Sequence, residues 1–369
     1  MEGEILLKIS ILIYSLASGG AERVVSILLK ELSQKYEIEL VLMNDTIFYE
    51  VPKNVKITFL ENSNPNENGI FKLLKLPFLA YKYSKIKSDI SISFMNRPNY
   101  INVLSNLFKK SKTIISERIA PSREYNTNKL KDKISRVLIK TLYPKADVVV
   151  PNSKYIAYEL NKFFNVDKEK IKVIYNPIKS IDMTPIKKKE FIFINVGRLE
   201  PQKNHKLLIQ AFYKANLDAK LHIIGDGYLR PDLEKLVKEY NLENKVTFFG
   251  RQKDVYKYLQ NSSCFVLSSD YEGFPNVLLE ALNCNLAIIS TDCKSGPREI
   301  LSNSDILDEV DKLQKVECGF LTKVGDVDSM KKAMQLIYHN DKLGYNCKHI
   351  IKQFEITKII NEWEKIING

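Results

Sequence analysis

Residues Phe191–Ala215 read FIFINVGRLEPQKNHKLLIQAFYKA, and this stretch decides the fold. FIFINV is an uninterrupted apolar run of strand length, whereas HKLLIQAFYKA repeats its apolar side chains at helical spacing. A strand buried on both faces that passes through a short turn into a helix is the building unit of a parallel sheet. Downstream the pattern continues in KLHIIG (220–225), YLRPDLEKLVKEYNL (228–242), KVTFFG (245–250), CFVLSS (264–269), LAIIST (286–291) and GFLTK (319–323). Upstream it runs from KISILIY (8–14) through AERVVSILLKELSQKY and EIELVLMN to KITFLE, DISISFM, KTIISE and ADVVVPN (146–152). The series breaks at NPIKSIDMTPIKKK (176–189), where two prolines and a lysine run interrupt both periodicities.

Two successive βα series in 369 residues predict two doubly wound, Rossmann-like parallel-sheet domains. The expected boundaries are 1–178 and 179–350, with 351–369 forming a helix that returns to the first domain. Ligands of such sheets bind beyond the carboxyl ends of the strands, so the two binding edges are expected to face a common cleft. The apolar opening ILLKISILIYSLASGGA resembles a secretory signal, but Glu2 and Glu4 precede it and Lys8 interrupts it; a buried first strand fits better. The five cysteines (264, 284, 293, 318 and 347) contain no Cys-x-x-Cys pair, and their odd number points to reduced thiols in a cytosolic protein. The net charge of +12 belongs mainly to the N-terminal half; Lys72, Lys75, Lys82, Lys85 and Lys87 follow one another without an acidic residue. An anionic partner for that half is implied: a nucleic acid, a phospholipid surface or a phosphorylated acceptor.

Three loops at strand ends carry the chemistry. Glu272-Gly-Phe-Pro-Asn-Val-Leu-Leu-Glu280 follows CFVLSS and opens a helix that Asn276 is placed to cap, with Glu280 about two turns in. The N–H groups at Asn276 and Val277 suit an anion, reinforced by the helix dipole. Gly197-Arg-Leu-Glu-Pro-Gln-Lys-Asn204 offers a guanidinium fork at Arg198 and a point charge at Lys203 for a diphosphate. Ser18-Gly19-Gly20-Ala21-Glu22 is a glycine turn at a helix start. It has neither the dinucleotide spacing nor a P-loop lysine, and Gly225-Asp226-Gly227 lacks the third glycine because Arg230 stands there. NAD binding and ATP hydrolysis are thereby excluded.

Together SGGAE, IIGDG, GRLEPQKN and EGFPNVLLE, in this order and spacing, resemble the family 4 glycosyltransferases of the GT-B fold. The resemblance implies a retaining transferase in which Arg198, Lys203 and Glu272 are catalytic. It implies a nucleotide-sugar site of Gly19, Gly20, Arg198, Lys203, Glu272, Phe274, Asn276, Val277 and Glu280, with Glu280 on the ribose and Glu272 on hexose hydroxyls. IYSLASGGAERVV, LKLPFLAYKY, FMNRPNYI, LYPKADVVVPNSK and STDCKSGPREI are similar to the bacterial N-acetylgalactosaminyltransferases that extend undecaprenyl-diphosphate-linked glycans for protein N-glycosylation (Pgl type). The enzyme adding the second N-acetylgalactosamine is the better match within that group. The implied partners are UDP-N-acetylgalactosamine, a polyprenyl-diphosphate-linked glycan and an anionic membrane surface, with no nucleic acid, no cofactor and no metal. The implied location is peripheral, on the cytoplasmic face of the cell membrane.

In such a mechanism the leaving phosphate accepts the acceptor's proton while fixed cations stabilise it. Asp326-Val327-Asp328 looks like a metal-binding Asp-x-Asp, but helix capping is the better reading. Many members of the family carry a histidine after the strand KTIISE; here the string is Ser116-Glu117-Arg118, and arginine cannot act as a base. Glu117 and Arg118, together with Asn96 and Arg97 after DISISF, are therefore candidates for binding acceptor sugar or phosphate. Lys72, Lys75 and Lys82 join them because a helix of this region meets the lipid pyrophosphate in the polymerising relatives. Leu, Phe and Tyr alternate with lysines from Phe71 to Lys87, as on an interfacial helix kinked at Pro77. The rival readings are another UDP-sugar with a lipopolysaccharide or capsule acceptor, a UDP-sugar epimerase, and a basic nucleic-acid-binding protein. The last leaves Glu272 and Glu280 unexplained.

Overall fold

The structure, a computed structural model, describes residues 6–17, 19–62, 67–181, 189–302, 310–340 and 347–369. Ser18 and positions 182–188 of the proline–lysine break lie outside them. The chain forms two compact units, residues 1–177 with 356–369, and residues 178–355.

The first unit is built on strands β1 (Lys8–Ile13), β2 (Glu37–Leu42), β3 (Lys56–Phe59), β4 (Ile90–Phe94), β5 (Lys112–Glu117) and β6 (Val148–Pro151). They lie in the order β3-β2-β1-β4-β5-β6, all parallel. The order reverses between β1 and β4, so the strand ends on either side of that point open a crevice. Ile9, Ile11, Leu12 and Ile13 of β1 are fully buried, as expected for a strand covered on both faces. One of those covers is the helix Ile356–Asn368, which reaches this core from beyond the second unit. Its Trp363 is wholly buried against Phe94, ring centroids 5.7 Å apart, and Glu364 pairs with Lys35 at 2.7 Å.

The second unit repeats the topology with β7 (Ile192–Val196), β8 (Lys220–Ile224), β9 (Val246–Gly250), β10 (Cys264–Leu267), β11 (Ala287–Thr291), β12 (Gln314–Val316) and β13 (Gly319–Thr322). The order is β12-β13-β11-β10-β7-β8-β9, and its reversal lies between β7 and β10. Both sheets are therefore doubly wound, as the alternation of strand and helix predicts. The edge strand β12 runs antiparallel to β13 and is three residues long, too short to give a periodic signal.

Two expectations need correction and a third holds. Cys318 and Cys347, 29 residues apart, are joined by a disulfide with Cα atoms 6.0 Å apart, so the cysteines are not all thiols; Cys264, Cys284 and Cys293 are free. Their approach is set by the tertiary fold and leaves no mark in the sequence spacing. The basic stretch is two helices, Gly69–Leu74 and Leu76–Ser84, that break at Lys75, with Pro77 in the first turn of the second. Asp326 caps the helix Val327–His339, accepting from the N–H groups of Asp328 and Ser329, which accounts for the Asp-x-Asp string. No described helix is long and apolar enough to cross a membrane.

Candidate active site

In the second unit the ends of β7, β8 and β10 supply one constellation. The loop Gly197–Asn204 passes close to the loop after β8, and glycine makes that passage possible: a Cβ on Gly225 would lie 1.8 Å from the carbonyl oxygen of Gly197. Gly225 has φ +135°, which side-chain-bearing residues rarely adopt. Asn204, at φ +44°, then starts the helix His205–Ala215 by accepting the N–H of Leu207 at 3.1 Å.

The same loop is bound to the one after β10. Asp270 N donates to Gln202 O (2.9 Å), Gln202 Nε2 to Tyr271 O (2.8 Å), Asn204 Nδ2 to Asp270 Oδ1 (2.8 Å) and Ser268 Oγ to Lys203 O (2.7 Å). These bonds bring Lys203 Nζ to 2.6 Å from Glu272 Oε1, which also accepts from Ser269 Oγ at 2.6 Å. Both side chains are largely buried, so this is a desolvated, charge-assisted contact. Both of these contacts fall on one carboxylate oxygen, Oε1. Arg198 is mostly exposed and touches Glu200 at 3.1 Å.

The helix Asn276–Asn283 begins directly after Pro275, so Asn276 is its first residue rather than its cap, and no side chain caps it. Its amino end, the positive end of the helix dipole, therefore carries no side-chain cap from Pro275. Glu280 is buried just over one turn into the helix, not two. Phe274 is buried edge-on against Phe354, and Val277 is half-buried in the first turn. Arg198, Lys203, Glu272 and Phe274 therefore belong to this unit's strand-end loops, and Asn276, Val277 and Glu280 to the helix that follows one of them.

Gly19 and Gly20 belong to the first unit, at the start of the helix Gly20–Leu32. The carboxylate of Glu22 folds back over Gly19: a Cβ there would lie 2.0 Å from Glu22 Oε2. The helix start is covered by the protein's own anion, and a phosphate requires Glu22 to turn away.

The first unit also contains a cavity of about 410 Å³ at the carboxyl ends of β1, β4 and β5, lined among others by Tyr14, Lys72, Asn96, Arg97, Glu117 and Arg118. Of the residues singled out for an acceptor, Lys75 and Lys82 are not on it. Lys75 pairs with Glu67, and Lys82 donates to the carbonyl of Leu60. Arg97 is held by Glu61 at 2.5 Å and by the Lys72 carbonyl. Arg118 is 6% exposed; its Nη1 donates to Asn176 Oδ1 at 2.9 Å, and Nε and Nη2 have no partner. Burial lowers its proton affinity, yet a guanidinium remains charged at neutral pH. Glu117 is 1% exposed, and burial, followed by the charge of Glu124, raises its carboxyl to about 8.

Tyr143, Glu124 and Tyr125 complete this network and went unnoticed in the sequence. Tyr143 Oη lies 2.6 Å from Glu117 Oε2 and 2.9 Å from Asn96 Oδ1, while Asn99 Nδ2 donates to it at 3.0 Å. Asn96 Nδ2 in turn donates to Glu124 Oε2 (2.8 Å) and to the Tyr125 hydroxyl. A short polar helix turn, PSRE, gave no signal for the last two.

Family profiles match both units: "Glycosyltransferase Family 4" over residues 18–180 and "Glycosyl transferases group 1" over 178–354. A Campylobacter jejuni protein, N-acetylgalactosamine-N,N'-diacetylbacillosaminyl-diphospho-undecaprenol 4-alpha-N-acetylgalactosaminyltransferase, is 40% identical over 98% of this chain and all of its own length. The chain belongs to the family 4 glycosyltransferases. An uncharacterised glycosyltransferase of Methanocaldococcus jannaschii is also similar, 32% identical over 87% of this chain and 89% of that one. Among solved structures, Anabaena HepE in complex with UDP shares the fold of this glycosyltransferase at TM-score 0.78 and 17% identity, covering 98% of this chain and all of the other. The lipopolysaccharide outer core galactosyltransferase WaaB does so at 0.75 and 22%, covering 98% and 99%.

Proposed function

We propose that this glycosyltransferase moves N-acetylgalactosamine from UDP-N-acetylgalactosamine to an undecaprenyl-diphosphate-linked glycan, forming an α linkage with retention. The observation that carries this reading is the 40% identity, over nearly the whole of both chains, to the Campylobacter enzyme whose name states that acceptor and product. Identity is 30% to the transferase named for an acceptor that already carries two N-acetylgalactosamines, which favours a single addition to the shorter glycan.

The geometry supports a front-face transfer. Lys203, drawn from Glu272 onto the donor diphosphate, acts with the positive amino end of the helix Asn276–Asn283 and with Arg198 to stabilise the leaving group. The leaving phosphate takes the proton of the acceptor hydroxyl. Glu272 Oε2 accepts a hexosamine hydroxyl, and Glu280 holds the ribose. The protein's own cations provide the charge stabilisation, and the scheme requires no metal ion.

The acceptor's lipid is best met at an anionic bilayer on the cytoplasmic side. Phe71, Leu74 and Phe78 are each more than 60% exposed, and the exposed Lys85 and Lys87 stand just after them. Each such lysine contributes about 1 kcal/mol near an anionic leaflet, giving reversible attachment.

The test is UDP release from UDP-N-acetylgalactosamine with and without the undecaprenyl-diphosphate-linked acceptor, in wild type and in Glu280→Ala. Acceptor-dependent release that adds one sugar and is lost in the variant is expected. Release that ignores this acceptor, or that follows a lipopolysaccharide acceptor instead, overturns the substrate assignment.

A further inference from the structure

The hydroxyl of Tyr143 has one proton, yet two oxygens, Glu117 Oε2 and Asn96 Oδ1, stand within hydrogen-bond distance of it. Asn96 cannot be turned round to help, because its Nδ2 is committed to Glu124 and the Tyr125 hydroxyl. Glu117 Oε1 is occupied by the N–H groups of Arg118 and Ile119. Both oxygens are satisfied at once when Oε2 carries a proton and donates to Tyr143, which then donates to Asn96. A directed chain results, Glu117 to Tyr143 to Asn96 to Glu124. It runs from the buried floor of the cavity to a carboxylate whose residue is exposed.

A carboxylate held in this way, beside a tyrosine hydroxyl and opposite a guanidinium with unused N–H groups, suits a neutral ligand rich in hydroxyls. Hydroxyls donate to Glu124 and accept from Arg118, whereas an anion would be repelled by Glu124. The apolar wall of Tyr14, Leu73 and Met95 suits a ring face. A volume of about 410 Å³ lies in the range of small-molecule sites.

We propose that this cavity seats one neutral sugar ring of the substrates, contacted by Glu124, Tyr125 and Arg118, and that Glu117 is a hydrogen-bond-donating positioning residue behind Asn96. The inference deepens the transferase reading and rests on it for the choice between acceptor and donor sugar, but the seat itself is testable without it. Its consequence with pH is set by what faces Glu117: Glu124 and Tyr125 from the turn at 121–125, Tyr143, Tyr100 and the amides of Asn96 and Asn99, and Arg118 beside it in the chain. Loss of the Glu117 proton above about pH 8 leaves two acceptors on one Tyr143 proton and frees Asn96 to turn.

Two measurements test it on the full chain. The first is saturation-transfer NMR with methyl glycosides of hexosamines and with inorganic diphosphate as separate probes, since Lys72 and Lys131 also line the cavity. Transfer to a glycoside that is lost in Glu124→Ala supports the seat; no glycoside signal in wild type, or one unchanged in the variant, overturns it, as does binding of diphosphate alone. The second is transfer kinetics against pH in wild type, Glu117→Gln and Glu117→Ala. Glutamine keeps a donor at every pH, so KM for whichever sugar substrate occupies the seat should stay within threefold of wild type at pH 7 and lose its rise above pH 8. Alanine should raise that KM tenfold or more with kcat little changed. A glutamine variant as impaired as alanine, or one that keeps the alkaline rise, overturns the positioning role. If wild type transfers to no lipid-linked acceptor, the proposed substrate falls while the NMR result still decides the seat.

Discussion

The strand-end loops of the second unit and the cavity of the first are built from different kinds of interaction. Around Lys203 and Glu272 a single ion pair stands at the centre, held in place by hydrogen bonds between just two loops. Around Glu117 they are hydrogen bonds gathered from four separate segments at 96–99, 117–119, 124–125 and 143. A charged pair is exchanged readily for a charged ligand, as release of a leaving diphosphate demands. A buried hydrogen-bond chain gives up its order only as a whole, which suits fixing the orientation of a group that must discriminate among similar sugars.

The sharpest way to break this comparison is Gly225→Ala. The new methyl meets the Gly197 carbonyl at 1.8 Å at a φ of +135°, so the Arg198–Lys203 loop is displaced. UDP binding by calorimetry should vanish, while glycoside signals from the cavity persist; unchanged UDP affinity would remove the loop from the donor site. Next, Lys203→Ala should lower kcat/KM by about ten- to a hundredfold or more, the size of one charge-assisted hydrogen bond of ~1.5–3 kcal/mol, with the melting temperature shifted far less.

A third prediction concerns pH alone. Because the folded-state carboxyl of Glu117 lies near 8, above the ordinary value of 4.5, the stability it contributes is full below about 4.5, declines as pH rises and is gone above about 8. Glu117→Gln should flatten that decline in denaturant titrations of the first unit; an equal slope in both proteins would place the proton elsewhere. The smallest effect is reserved for Asp326→Ala. It removes a helix cap worth about 1 kcal/mol and should leave transfer activity unchanged, whereas a loss of activity would restore a metal role to the Asp-x-Asp string.

The contrast also explains what could be read from the sequence. Buried strands followed by amphipathic helices announced both sheets, and the Lys203 and Glu272 loops were legible because each motif is contiguous and abuts a strand end. Tyr143 and Glu124 were not, since they reach Glu117 from 26 and 7 residues away only through the fold. The lysine run showed its charge but not its direction: Lys72 lines the cavity, whereas Lys75 and Lys82 are bound to Glu67 and to the Leu60 carbonyl. The depth of Glu280 was misjudged because the helix starts at Asn276, immediately after the extended Pro275. The disulfide joins positions whose spacing says nothing.

The helix Ile356–Asn368 closes the core of a unit whose strands all precede residue 152. On the ribosome, therefore, the first sheet waits partly uncovered while the whole second unit is synthesised, with the face around Phe94 lacking Trp363 until that unit has been made. Order of assembly then opposes order of synthesis: the part made second has all its residues first, and the part begun first is sealed last.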